Sequence, residues 1–137
     1  MLNIPNSNDW GKLLLRLMVG GMMLPHGIAK IVNGVGGIAN LFASKGIPGF
    51  LAYGAYLGEV IAPILVILGL YTRIAALVIA GTIVVAVAVA HPGDILTFSS
   101  RTGAWGIELQ AFYIFGGFAI ALLGAGSYSL DAKKGRG

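Results

Sequence analysis

Four long apolar runs constrain this chain more than any other feature: Leu13 to Ile31, Phe50 to Leu70, Ile74 to Ala90 and Trp105 to Leu123. A helix rises about 1.5 Å per residue, so runs of about 20 residues cross a bilayer's hydrocarbon. Backbone groups in lipid must satisfy one another, and a helix does this within a single run. The expected fold is an all-α, integral membrane four-helix bundle. Hydrophobic residues at 57% and charged residues at 10%, with a mean hydropathy of +0.87, are the composition of a chain solvated by lipid. The net charge of +4 does not point to nucleic acid. Its nine Lys and Arg sit at the ends of apolar runs and in the C-terminal tail, with no basic stripe interleaved with aromatics. Zero cysteines exclude disulfides, thiolate-held zinc or iron-sulfur clusters and covalent c-type haem, so redox chemistry would need a bound cofactor or a partner subunit.

The connections set the topology. Met1 to Trp10 reads as a short polar tail ending in an interfacial Trp, and Lys12 and Arg16 enter the first span by snorkelling to headgroups. That span is long and lacks a small-residue cleavage site followed by a soluble domain, so it is expected to be a span rather than a signal peptide. Between Val32 and Gly49, Ile38, Leu41 and Phe42 recur at helical spacing opposite Asn40 and Ser44, the pattern of a short amphipathic helix lying in the interface. Gly46-Ile47-Pro48-Gly49 ends it. Tyr71-Thr72-Arg73 is so short a link that the second and third spans form an antiparallel hairpin, with Thr72 as a candidate N-cap. The third span ends at His91-Pro92-Gly93-Asp94, and a polar loop leads to the fourth. The domain is expected over residues 1–131, followed by a basic tail, 132–137, disordered toward its end.

Polar residues inside apolar runs call for a reason, because a Lys at a span's centre costs roughly 2.5 to 3.5 kcal/mol. In Leu24-Pro25-His26-Gly27-Ile28-Ala29-Lys30, the histidine and lysine are four residues apart and share a helical face. Pro25 bends the helix before them, and Gly27 permits close approach by a neighbour. Two readings are open for this pair: a proton-handling site, or an interhelical hydrogen bond beside a snorkelling amine. Glu59 lies near the middle of the second span and must be neutral or paired, which suits a proton-transfer group. Glu108 either joins the same cluster or pairs with Lys30 or Arg101 to set helix register. His91 either caps the third span or takes part in the site.

The candidate catalytic residues are therefore Glu59, His26 and Lys30. Trp105, Phe112 and Phe115 recur with Glu108 on roughly one face of the fourth span, an arrangement that suits a planar hydrophobic ligand such as a quinone but equally suits helix packing. The candidate cofactor-binding set is Glu108, Trp105, His91 and Phe112. A metal held by His26, His91 and two glutamates lacks local ligand spacing, and none is assigned. Arg16, Arg73 and Asp131 read as anchors or as a salt bridge between the first span, the hairpin and the tail.

The chain resembles the DoxX family of small four-helix bacterial membrane proteins. The resemblance rests on Arg16-Leu17, His26-Gly27 and Lys30 in the first span, and on Gly46-Ile47-Pro48 before the second. It continues through Glu59, Leu68-Gly69-Leu70 with Thr72-Arg73, Glu108, Gly124-Ala125-Gly126 and Ser129-Leu130-Asp131. It implies a bacterial cytoplasmic (inner) membrane location. Some members are linked to thiosulfate oxidation with quinone as acceptor, others to membrane oxidoreductase complexes that protect against oxidative stress, and many carry only an oxidoreductase label.

Two function classes follow. One is a quinone-linked membrane redox subunit with a polar pocket toward the outer leaflet. The other is a non-enzymatic scaffold or assembly subunit whose ion pairs hold the bundle together. A narrow substrate carrier is a weaker third, because four helices leave little room for alternating access. Expected partners are membrane lipids, together with partner membrane or redox subunits or further copies of the chain. Lys12, Arg16, Arg73, Lys133, Lys134 and Arg136 fall on the side of the termini, against Lys30, Lys45 and Arg101 on the other, so both termini are expected in the cytoplasm.

Overall fold

The computed structural model describes residues 4–136 and is helical, with a lone antiparallel bridge between Phe98 and Trp105 its only β pairing among these residues. The first span is one helix, Ser7–Asn33, unbroken through Pro25. It starts six residues earlier than its apolar run, so Ser7 to Trp10 belong to the helix rather than to a tail. Asp9 in the first turn suits the helix dipole, and its carboxylate accepts from the Ser127 N–H at 3.1 Å and the Ser127 hydroxyl at 2.7 Å. Met1–Asn3 of the expected tail lie outside the described residues. The interfacial helix forms over Gly36–Ser44, and the second span runs over Gly49–Leu68. The third is Thr72–Ala90, and these three are long and apolar enough to cross a membrane; the fourth, Glu108–Leu123, is an apolar helix of only 16 residues.

Each span packs against the next, and the fourth returns to the first, so the bundle is a closed up-and-down ring. Lipid tails are as apolar as leucine, so helices associate through close packing rather than the hydrophobic effect. Glycines provide that closeness at all four interfaces. A Cβ on Gly20 would lie 2.9 Å from the Pro63 carbonyl oxygen, and one on Gly117 would lie 2.7 Å from that of Ala76. On Gly58 it would collide with the Thr82 side chain, and on Gly116 it would approach a Val19 methyl at 2.7 Å. Val19, Met23, Val66, Ala76, Ile79 and Ile120 fill the centre.

The fourth helix begins at Glu108 instead of Trp105. The Trp105 indole N–H donates to the Ile95 carbonyl at 2.6 Å, and the Gly106 N–H donates to Thr97 at 2.9 Å. These bonds hold residues 105 and 106 in the loop ladder, outside any helical turn.

The end of the bundle that carries the termini is locked by Arg16. It does not snorkel; it is 1% exposed. Its guanidinium donates to the carbonyls of Val66, Ile67, Ala125 and Tyr128, each at 2.9 Å. Two of these are carbonyls in the last turn of the second span, where intrahelical donors run out. Gly69 closes that helix in the left-handed region, φ 69°, with the Leu70 N–H returning to Leu65 at 2.9 Å. The C-terminal segment folds onto this node as a short helix, Leu130–Lys133, and the Arg136 guanidinium lies 4.9 Å from the Tyr71 ring centre. Gly137 lies outside the described residues. Thr72 is not an N-cap. It is the first residue of its helix, and the cap is the Asp131 carboxylate, which accepts from the N–H groups of Tyr71 and Thr72 at 2.9 Å and from the Thr72 hydroxyl at 2.7 Å. No Arg16–Asp131 salt bridge forms among the described residues. Arg73 likewise donates to the carbonyls of Ala121 and Leu122, fastening the start of the third span to the end of the fourth.

Candidate functional site

Glu59 is placed by an irregular turn. Pro63 has no N–H to offer the Glu59 carbonyl four residues back, so the α ladder cannot continue through this point. The segment Leu57–Ile61 widens into a π-helical turn, in which the Ala62 N–H reaches the Leu57 carbonyl. Gly27 of the first span sits against the Glu59 backbone, where any Cβ would collide with the carbonyl oxygen. The carboxylate is turned into the bundle, and Glu59 is 4% exposed. There it meets Lys30, whose ammonium donates to both carboxylate oxygens at 2.5 Å. The Tyr56 hydroxyl donates to the Lys30 carbonyl at 3.1 Å and ties the end of the first span to the second.

The pair lies on the wall of a cavity of about 610 Å³ between the second and third spans, roofed by Ile38, Leu41 and Phe42 of the interfacial helix. Its walls are otherwise aliphatic, apart from Thr82 and His91. The volume falls within the range of small-molecule sites, and an apolar chamber with a few convergent polar groups is the usual form of one. A buried ion pair contributes little net stability, because desolvation offsets most of the Coulomb gain, whereas losing one partner is expensive.

The other candidate residues do not join this pair. His26 is exposed, with its ring edge-on to Tyr113 of the fourth span at 6.0 Å between centres. At 100° per residue, Lys30 lies about 40° nearer than His26 to the face marked by Gly27, and its long stem covers the remaining distance. Glu108 is exposed in the first turn of the fourth span, where it favours the helix dipole, and it pairs with neither Lys30 nor Arg101. A single cluster of His26, Lys30, Glu59 and Glu108 is therefore not formed.

Trp105 is bound into the loop and stacks on Phe98 at 6.4 Å. Phe112 and Phe115 face outward. Phe112 borders a separate hollow of about 230 Å³ with Met18 and Met22 of the first span, so the aromatic stripe does not line the large cavity. His91 does reach that cavity, at the end of the third span, where its Nδ1 lies 3.1 Å from Asp94 Oδ2. Sequence reading missed the π-turn, Tyr56 and Thr82. The spacing of Pro63 four residues after Glu59 was the available signal for the turn. Tyr56 and Thr82 carried none, because an exposed and a buried hydroxyl look alike in a sequence.

Four packed apolar helices, with a lysine–carboxylate pair whose carboxylate is buried among them, define a small helical membrane protein with a charged site along its wall. The chain belongs to the DoxX family, whose model matches residues 11–92, the stretch that contains the pair, most of the first span and all of the second and third. A protein of Bacillus subtilis (strain 168) named "Putative oxidoreductase CatD" is 32% identical over 126 residues, which cover 91% of this chain and 87% of that protein. No solved structure matches.

Proposed function

We propose that this DoxX-family protein is a quinone-linked redox subunit of the bacterial cytoplasmic membrane. The observation that carries the reading is the aliphatic cavity of about 610 Å³ with the Lys30–Glu59 pair on its wall. The name of the Bacillus subtilis relative points the same way. A quinone, when bound, supplies two-electron, two-proton chemistry. The residues present fit one: Ile38, Leu41, Val78 and Val85 offer the apolar surface its ring and tail would need, and the Lys30 ammonium would hold one of its carbonyl oxygens. Glu59 accepts or delivers a proton, and Lys30 holds its carboxylate in place meanwhile. His91, exposed at the loop end, borders the cavity on its other side. The electrons come from a partner redox subunit.

Orientation follows from charge. Arg16 and Lys30 are engaged inside the bundle, which leaves Lys12, Arg73, Lys133, Lys134 and Arg136 at the end with the termini against Lys45 and Arg101 at the other. The asymmetry survives, and we place both termini in the cytoplasm.

The test is extraction of lipid-soluble quinone from protein purified in mild detergent. Wild-type protein should carry quinone and Lys30→Met much less. Glu59→Gln should fold and retain quinone but lose quinone-dependent turnover, since the amide keeps the shape and cannot ionise. Quinone-free wild-type protein, or full turnover in well-folded Glu59→Gln, would sink the reading.

A further inference from the structure

We propose that the cavity is loaded sideways from the bilayer at Gly81, so that its ligand is a membrane-dissolved amphiphile rather than a water-soluble one. This rests on the reading of the cavity as a binding site and names the class of molecule that reaches it. Gly81 lines the cavity and is exposed, and a Cβ built on it meets nothing within 4 Å. Leu57 and Val85, which also line the cavity, are 50% and 51% exposed. The three residues flank the Gly58–Thr82 contact between the second and third spans and leave a gap beside it, on the open side of the cavity.

Depth decides what lies outside that gap. Gly81 is the midpoint of Thr72–Ala90, so an opening there faces acyl chains rather than headgroups or water. Toward the loop end, the interfacial helix lays Ile38, Leu41 and Phe42 across the same chamber. That roof packs against the start of the second span, where Ala39 lies beside Gly49. The nearest polar groups to a molecule entering at Gly81 are Thr82, one residue on, and the Lys30–Glu59 pair. An amphiphile passing between Leu57 and Val85 would leave its tail toward the lipid and meet the Lys30 cation and the Glu59 carboxylate with its head. Gly81 itself has no packing role inside the bundle, unlike the glycines at the four helix interfaces. Its lack of a side chain keeps the gap open.

The chain has no cysteine, so a single thiol at Ala86, inside the cavity, reports access without any redox readout. In liposomes, lipid-soluble N-cyclohexylmaleimide should modify Ala86→Cys readily, and a membrane-impermeant sulfonated maleimide added on both sides should not. Adding Gly81→Phe should slow the lipid-soluble reagent by about tenfold or more, within the range over which association rates respond to changes at one site. Gly81→Leu serves the same purpose should the larger ring prevent folding. Equal modification by the two reagents, or an unchanged rate with either bulky side chain in folded protein, would overturn lateral loading. Binding of decylubiquinone to the same liposomes separates this inference from the proposed function. Labelling that depends on Gly81 in protein that binds no quinone supports the lateral route and rejects quinone as the ligand.

Discussion

Gly27 and Glu59 are in backbone contact: the α-carbon of one occupies space beside the carbonyl of the other that no side chain could share. The contact matters because it lies one turn from Lys30 and at the residue that carries the partner carboxylate. The first span can reach Glu59 with its lysine only because Gly27 lets the two helices close on the π-turn.

Gly27→Ala should therefore act on the site and on the fold together. Overpacking usually costs about 1 to 3 kcal/mol, and here the obstacle is backbone, which cannot rotate away, so the upper end applies. We expect a lowered thermal midpoint in detergent and reduced quinone content in whatever protein folds. Gly21→Ala on the same helix, where a Cβ meets nothing within 4 Å, is the control and should behave as wild type.

Removing Lys30 alone should be worse than removing it together with the Glu59 charge, because the carboxylate is buried whereas the ammonium is partly exposed. Lys30→Met leaves a carboxylate buried without its cation and should destabilise by about 3 to 5 kcal/mol. Lys30→Met with Glu59→Gln should recover most of that loss but not quinone-dependent activity, because neither charge is restored. Chemical unfolding monitored by tryptophan fluorescence measures the first effect, and turnover measures the second. Recovery of activity in the double variant would assign the pair a purely structural role.

Asp131 predicts a pH signature. Burial pushes its carboxyl up, but the Thr72 N–H and hydroxyl and the Tyr71 N–H pull it down further, and the net position is below the ordinary value of 3.8. A group whose folded pKa is depressed stabilises the fold fully above its unfolded value and ceases to do so as pH falls through the folded one. Asp131→Asn should lower stability by about 1 to 3 kcal/mol at neutral pH, the usual cost of an unsatisfied cap and hydroxyl. The gap between variant and wild type should narrow as pH drops from about 5 to about 3. Thermal midpoints across that range decide it, and a gap that stays constant would remove Asp131 as the titrating group.

Topology can be read with single thiols. Gly34 and Ser99 are both exposed at the loop end of the bundle. Gly34→Cys and Ser99→Cys should each react with an impermeant maleimide in intact cells, whereas Ser127→Cys, at the other end, should react only after lysis. Protection of both loop positions would invert the assigned orientation.

Apolar run length, the short hairpin link and the helical spacing of Ile38, Leu41 and Phe42 were sufficient to determine a lipid-solvated bundle of four helices with an amphipathic segment after the first. These are local properties, set by backbone hydrogen bonding and burial within one run of sequence. That Lys30 and Glu59 are both placed in apolar runs also made a partnership between them legible, since neither is tolerated alone in lipid. Tertiary structure decided everything that depended on which side of a helix faces which neighbour. His26 and Lys30 share a face by spacing, yet about 40° of rotation sends one toward Tyr113 and the other to the carboxylate. Thr72 has the residue type of a cap, but the cap came from Asp131, 59 residues away in the chain. Trp105 has the composition of a helix start but is held by Ile95 in the loop. Arg16 resembles an interfacial anchor and instead closes the bundle, because carbonyls from the second span and the tail converge on it only after those segments have folded.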